Sequence, residues 1–317
     1  MNIFSKILRK KNTTTDIEVG GVVRKNLDEN ALKEVLAKVR RIEIKARGLS
    51  NHTFAGEYHT SFKGRGMSFS EVREYSYGDD IRAIDWNVSA RFGHPFVKVF
   101  EEERELTLML LVDISASNNF GTKLKSKRDL ITELCATLAF SASKNNDKVG
   151  VIFFANGIEK YIAPQKGRLH ILYIIRTLLT IEAKKNTTTN FATALKFLNS
   201  VQKKRSIAIA LSDFYSDNYT DALRIAKQKH DLTGLFLYDE NDVQLPNIGL
   251  INLQDFETGK QQWINTADKQ TRKIFEQNFE NHLQNTKQNF LKNGAQLQAI
   301  KTNNDYIKIL HQFFKTR

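Results

Sequence analysis

A single cysteine, Cys135, in 317 residues rules out an internal disulfide framework. It lies among Ile131, Leu134 and Leu138 at helical spacing, which marks a core thiol rather than a nucleophile. No apolar run approaches the roughly 20 residues that a membrane-spanning helix requires. The basic, amphipathic start at residues 1–11 lacks the uninterrupted apolar centre and cleavage site of a secretory signal. These absences predict a soluble, cytoplasmic protein, with residues 1–11 suited at most to peripheral contact with a membrane surface. Phosphate-loop chemistry is also missing, because the run GTKLKSK at 121–127 lacks the second glycine of a nucleotide cradle. The seven histidines are scattered without zinc spacing. The expectation is a binding protein, not an enzyme.

A formal net charge of +13 raises the question of an acidic partner. Residues 1–105 hold 19 basic and 16 acidic side chains, leaving 29 and 19 for residues 106–317. The excess is mostly lysine spread over the larger part of the chain. It forms no Arg-rich stripe and no basic-aromatic motif of a nucleic-acid module, so a solvated surface is the simpler reading and nucleic acid is not the expected partner.

The chain divides by pattern. Residues 1–27 read as a flexible basic N-terminal segment. Residues 28–105 hold an amphipathic helix over 30–47, with Leu32, Val35, Leu36, Val39 and Ile42 on one face, and then short β pieces around Thr53–Phe54 and Phe96–Phe100 flanking a glycine-rich loop region. That stretch is too small for a core of its own and should pack on the larger region C-terminal to it. From residue 106 to 317, apolar strand-like runs alternate with helical patterns. Strands are predicted at 106–112, 148–154, 206–211, 233–238 and 295–300, with helices at 123–144, from 168, at 191–201, 219–229 and 269–292, and from 305. This alternation specifies an α/β fold with a mostly parallel, doubly wound sheet.

Two apolar runs end in carboxylates. Leu106–Val112 releases Asp113, Ser115 and Ser117, and Ile207–Leu211 releases Asp213. Thr189 stands at the start of the predicted helix 191–201. In an open α/β sheet, ligands bind outside the carboxyl ends of strands, at the point where strand order reverses. Converging there, these five side chains offer an all-oxygen shell suited to Mg²⁺, with Mn²⁺ or Ca²⁺ as alternatives, rather than to zinc or copper. A shell rich in neutral hydroxyls leaves the ion electrophilic, so it would seek a further carboxylate from a partner's Asp or Glu. Asp-x-Ser-x-Ser alone is equally what helix capping would produce, and only the full set gives it weight.

The order Asp113, Ser115, Ser117, Thr189, Asp213 resembles the metal-ion-dependent adhesion site of the von Willebrand factor A family. A second resemblance lies upstream. The segment GRGMSFSEVREYSYGDDIRAIDWNVSAR at 64–91 is similar to the signature of the bacterial domain-of-unknown-function 58 family, and the likeness continues through Phe120–Gly121, Glu257–Gly259 and Phe313–Phe314. The resemblance implies a von Willebrand factor A-like domain over 106–317 and a chaperone-adaptor role beside a MoxR-type AAA+ ATPase, with that ATPase or its client as partner. Asn118-Asn119 departs from the family's usual Met after the last Ser, which leaves the ligands untouched.

Within 64–91, Arg73, Arg82 and Arg91 alternate with Glu74, Asp79, Asp80 and Asp85. Such guanidinium–carboxylate pairs predict a network holding the leading region to the following domain, with Trp86 as a packing anchor. Two other classes of function compete with metal-dependent protein binding. A metal-dependent phosphoryl hydrolase would use the same carboxylates but lacks an evident base or phosphate clamp. An RNA-binding protein would use the basic surface and lose affinity steeply with salt.

Overall fold

A computed structural model describes residues 37–46, 68–101, 106–119, 126–181, 188–254 and 261–315. The expectations for residues 1–27, for Thr53–Phe54, for the opening of the 64–91 signature, and for Phe120–Gly121 and Glu257–Gly259 fall outside these residues. The leading elements are helix α1 (37–46), strand β1 (Ser68–Glu74), helix α2 (Trp86–Phe92) and strand β2 (Phe96–Glu101). After them come β3 (Thr107–Asp113), α3 (Lys127–Lys144), β4 (Lys148–Phe154), β5 (Ile158–Gln165), α4 (Arg168–Thr180), α5 (Phe191–Val201), β6 (Ile207–Ser212), α6 (Thr220–Lys229) and β7 (Asp231–Tyr238). The chain then forms a short helix, α7 (Glu240–Val243), a hairpin of β8 (Leu250–Gln254) and β9 (Gln261–Asn265), α8 (Lys269–Lys292), β10 (Gln296–Lys301) and α9 (Tyr306–Lys315).

Strands without polar alternation must be covered on both faces. The run Thr107–Asp113 therefore sits in the middle of a six-stranded sheet, ordered β10-β7-β6-β3-β4-β5. All neighbours pair in parallel except β5, which is antiparallel to β4 at the edge. Alternate residues of β3 feed opposite cores. Leu108, Leu110 and Val112 pack with α3, α4, α9 and α1, whereas Met109 and Leu111 pack with α5, α6 and α8. The expected mixed α/β class, with a mostly parallel sheet flanked by helices, is the architecture found. Cys135 is fully buried in the first of these cores, and burial pushes its thiol well above the ordinary range.

The topology fixes where a ligand would go. The chain runs outward from β3 through β4 to β5, then returns to lay β6 against the other side of β3 before continuing through β7 to β10. The reversal point thus lies between β3 and β6, the position at which open α/β sheets form their binding crevice.

The leading region departs from expectation in two respects. Arg73 grips both carboxylate oxygens of Asp79 at 2.9 and 2.6 Å, Asp80 caps the turn immediately after it, and Asp85 caps α2 and meets Lys98 at 3.4 Å. Among the described residues these bonds close within 68–101, so they shape the leading unit locally instead of tying it to the central sheet. Trp86 is 69% exposed at the first position of α2 and is no packing anchor, because the Asp85 cap holds the start of the helix without it. The attachment runs through α1 instead. Val39 and Ala46 enter the core beneath α3 and α4, Glu43 pairs with Arg168 at 2.6 Å, and Lys45 pairs with Glu133 at 2.7 Å.

Gly234 lies in β7 level with Ala210 of β6 and Leu297 of β10, where α8 crosses the sheet. A Cβ there would fall 2.6 Å from a ring carbon of Phe290 and against Leu297. Overpacking of this kind costs about 1–3 kcal/mol. Gly234→Ala should lower the urea midpoint by a corresponding amount without changing the slope, and an unchanged midpoint would show that Phe290 yields freely.

His230 is buried at the C-cap of α6, just before β7, its Nδ1 sharing a 3.0 Å hydrogen bond with Ser206, its Nε2 without a partner among the described residues. Burial, then the charges of Lys229 and Arg205, lowers its pKa from 6.5 to about 4. The unfolded chain therefore binds a proton that the folded protein refuses between those values, so stability falls as pH drops through this window. Unfolding midpoints measured across it should fall less steeply for His230→Gln than for the native chain, and parallel curves would contradict the assignment.

Candidate functional site

The register of β3 and β6 brings the two strand exits together. Val112 lies level with Leu211, so Asp113 emerges beside Ser212, whose hydroxyl donates to Asp113 Oδ2 at 2.6 Å. The other oxygen of Asp113 accepts from the Ser115 backbone N–H at 2.8 Å. Ser115 Oγ and Ser117 Oγ lie 3.0 Å apart, and Ser117 Oγ donates to Asp213 Oδ2 at 3.0 Å. Four of the five sequence-predicted ligands therefore form one hydrogen-bonded chain. It runs from Asp113 through the loop after β3 to Asp213 after β6.

Thr189 lies on the loop beside this group. It is buried one residue before Asn190, the N-cap of α5. Its loop is bracketed on both sides: Asn190 N–H donates to Ala155 O beyond β4 at 2.8 Å, and Phe191 N–H donates to Ser216 Oγ in the Asp213 loop at 3.0 Å. Edge-to-face packing of Phe191 on Phe214, centroids 5.1 Å apart, locks the two loops side by side.

Burial sets the electrostatics. Asp113 and Asp213 are 1% and 3% exposed. Desolvation, reinforced by the charge of Asp213, pushes the Asp113 carboxyl up to about 7, against hydrogen bonds from Ser212 and Ser115 that favour its ionised form. Two acidic groups are held close together here in a medium that resists their charge.

The sequence did not single out the group that meets this charge from inside the protein. Lys127, at the first position of α3, is buried with its ammonium 3.3 Å from Asp213 Oδ2 and 3.1 Å from Asp242 Oδ2 of α7. Burial alone would lower its pKa, but the two carboxylates outweigh burial and hold the ammonium above its ordinary value. A signal was present in the sequence: Lys127-Arg128 opens a helix whose positive dipole end favours acidic residues, so a cation there needs a nearby anion. His282 of α8 also reaches the crevice, donating from Nε2 to the Asp213 carbonyl at 2.9 Å while its ring stacks on Tyr215 at 3.8 Å. Burial and the charges of Asp213 and Asp242 push the Tyr215 phenol up to about 12, so it stays a neutral wall.

The donor set fits a hard divalent cation. The oxygens that converge belong to carboxylates and hydroxyls, and because no group of three or more His, Cys, Asp or Glu side chains among the described residues could hold a metal ion, any ion there would depend on the serine and threonine hydroxyls as well. When ionised, Asp113, Asp213 and Asp242 carry three negative charges against the one ammonium of Lys127, which pairs with Asp213 and Asp242, so the cluster is two positive charges short of balance.

Uncharacterized bacterial proteins are similar to this chain in sequence. The Mycobacterium tuberculosis protein Rv1480 and the Mycobacterium bovis protein Mb1516, both described as uncharacterized, are each 30% identical over 299 residues, covering 93% of either chain. The uncharacterized Bacillus subtilis protein YeaD is 30% identical over 132 residues, or 41% of this chain and 29% of its own. Among solved structures, the conserved hypothetical protein BatB from Bacteroides thetaiotaomicron covers 67% of this chain and 98% of its own at 15% identity and a TM-score of 0.44. The SpRpn10 VWA domain covers 65% and 93% at 9% identity and a TM-score of 0.37. At such scores these two add nothing to the topology described above. The sequence pattern of the family described as protein of unknown function DUF58 matches residues 71–285, and with near full-length relatives at 30% identity the chain belongs to that family.

Proposed function

We propose that this protein is a cation-dependent protein-binding adaptor whose binding surface is the crevice between β3 and β6. The observation that carries the reading is the hydrogen-bonded chain from Asp113 through Ser115 and Ser117 to Asp213 at the point of strand reversal. Asp113, Ser115, Ser117, Thr189 and Asp213 would hold Mg²⁺, with Mn²⁺ or Ca²⁺ as substitutes, through hard oxygen donors. Bound there, the cation would supply an electrophilic position for one more carboxylate. The serine and threonine hydroxyls add ligands without adding negative charge. Asp113 is held by Ser212 and by the backbone of Ser115, so its carboxylate is oriented before any ion arrives.

The partner's contribution is an Asp or Glu side chain. The family resemblance makes a MoxR-type AAA+ ATPase or its client the first candidate. No turnover is assigned to the site. The imidazole that reaches it, His282, donates from Nε2 to a backbone carbonyl, and the Lys127 ammonium is held by two carboxylates, so neither of these two nitrogens is free to accept a proton. The phosphoryl-hydrolase reading lacks support for that reason.

Calorimetry should detect Mg²⁺ or Mn²⁺ binding to the native chain and none to Asp113→Ala. Ion at a hundred times its Kd should raise native stability by about 2.7 kcal/mol and leave the variant unchanged. Capture of a MoxR-type ATPase should require the ion and weaken in Ser117→Ala and Thr189→Ala. Equal capture in EDTA, or phosphoester hydrolysis by the native chain that Asp213→Ala abolishes, would overturn the adaptor reading.

A further inference from the structure

We propose that Lys127 is a tethered resident cation that shares Asp213 with the divalent ion's site and sets the affinity of that site by competing for it. The inference rests on the metal reading above and adds an affinity-setting residue to it.

The geometry that carries it is the sharing of one oxygen. Asp213 Oδ2 receives the Ser117 hydroxyl at 3.0 Å, which places it in the predicted ligand chain, and it also receives the Lys127 ammonium at 3.3 Å. A divalent ion drawing on Asp213 and an ammonium on the same oxygen repel each other. In a crevice where the lysine side chain is 4% exposed, water screens that repulsion little.

Lys127 is otherwise badly placed for a buried cation. It stands at the positive end of α3, and a free lysine in that first turn would turn to solvent. It is held inside by two carboxylates from different elements, Asp213 after β6 and Asp242 in α7. Asp242 itself is anchored, accepting the Asp239 backbone N–H at 2.7 Å in the capping box of α7. A compact ammonium on a flexible four-carbon stem can therefore release Asp213 and keep Asp242. The second anchor is what makes displacement feasible. Without Asp242 the ammonium would have only Asp213, and an arriving ion would have to strand a buried positive charge.

The test is a double-mutant cycle read by Mg²⁺ calorimetry on the full chain, with Lys127→Met, Lys127→Gln, Asp242→Asn and the Lys127→Met/Asp242→Asn double variant. The proposal predicts that Lys127→Met binds Mg²⁺ on the order of tenfold tighter than the native chain. Lys127→Gln should behave the same way, and it serves as the measure should Lys127→Met not fold. In the native background Asp242→Asn should weaken binding several-fold, because it confines the ammonium to Asp213. In the Lys127→Met background the same change should have little effect. The proposal is overturned if Mg²⁺ affinity is unchanged or weaker in both Lys127 variants, or if Asp242→Asn weakens binding equally in the two backgrounds, since Asp242 would then act only through its own charge. Binding absent from the native chain but present in Lys127→Met would support the competing lysine and sink the metal-dependent adaptor instead. Binding absent from every variant would sink both.

Discussion

Two carboxylates buried at the ends of adjacent parallel strands are the constraint on which the rest of the crevice depends. Neither Asp113 nor Asp213 can lose its hydration without compensation, and each neighbouring feature answers that need. Ser212 and the Ser115 backbone hold Asp113, Ser117 holds Asp213, and Lys127 supplies the internal positive charge. Even α7 serves it, since Asp242 completes the pair of anions that keeps a lysine buried at the wrong end of a helix. The fold supplies the site by placing β6 against β3 after β4 and β5 have gone the other way, and one change in strand order would separate the two acids.

Much of this arrangement was legible from local pattern because the central strands are short, continuously apolar and bounded by polar residues. Burial on both faces leaves no alternation to confuse with a surface strand, so β3, β4 and β6 were predicted within a residue or so of their ends. The helices α5 and α8 were equally plain. The convergence of Asp113, Ser115, Ser117 and Asp213 came from a rule about strand exits that depends on topology rather than on side-chain detail.

What was not legible depended on contacts between elements distant in the chain. Lys127 was passed over inside a run rejected as a phosphate loop, although its conflict with the helix dipole is visible in the sequence. Its partner Asp242 lies on a four-residue helix that no periodicity reveals. His282 sits on the long α8 with nothing local to distinguish its face, and only the packing of α8 across the sheet carries it to the Asp213 carbonyl. The charged run in 73–85 misled for the opposite reason. Its pairs are real, but aspartates spaced for turns and caps satisfied them locally, and among the described residues α1, not the signature segment, enters the central core.

On the proposed reading the site is balanced between two cations, one built into the chain and one to be recruited. A crevice served by lysine alone would be a structural salt-bridge cluster. A crevice two positive charges short would, on that reading, be a receptor for a divalent ion and, through it, for an acidic partner. The direct measurement is an anomalous difference map from crystals of the native chain grown with Mn²⁺. The account predicts a peak bounded by Asp113, Ser115, Ser117, Thr189 and Asp213, with the Lys127 ammonium withdrawn toward Asp242. A map showing no peak there, with Lys127 still on Asp213, would contradict it.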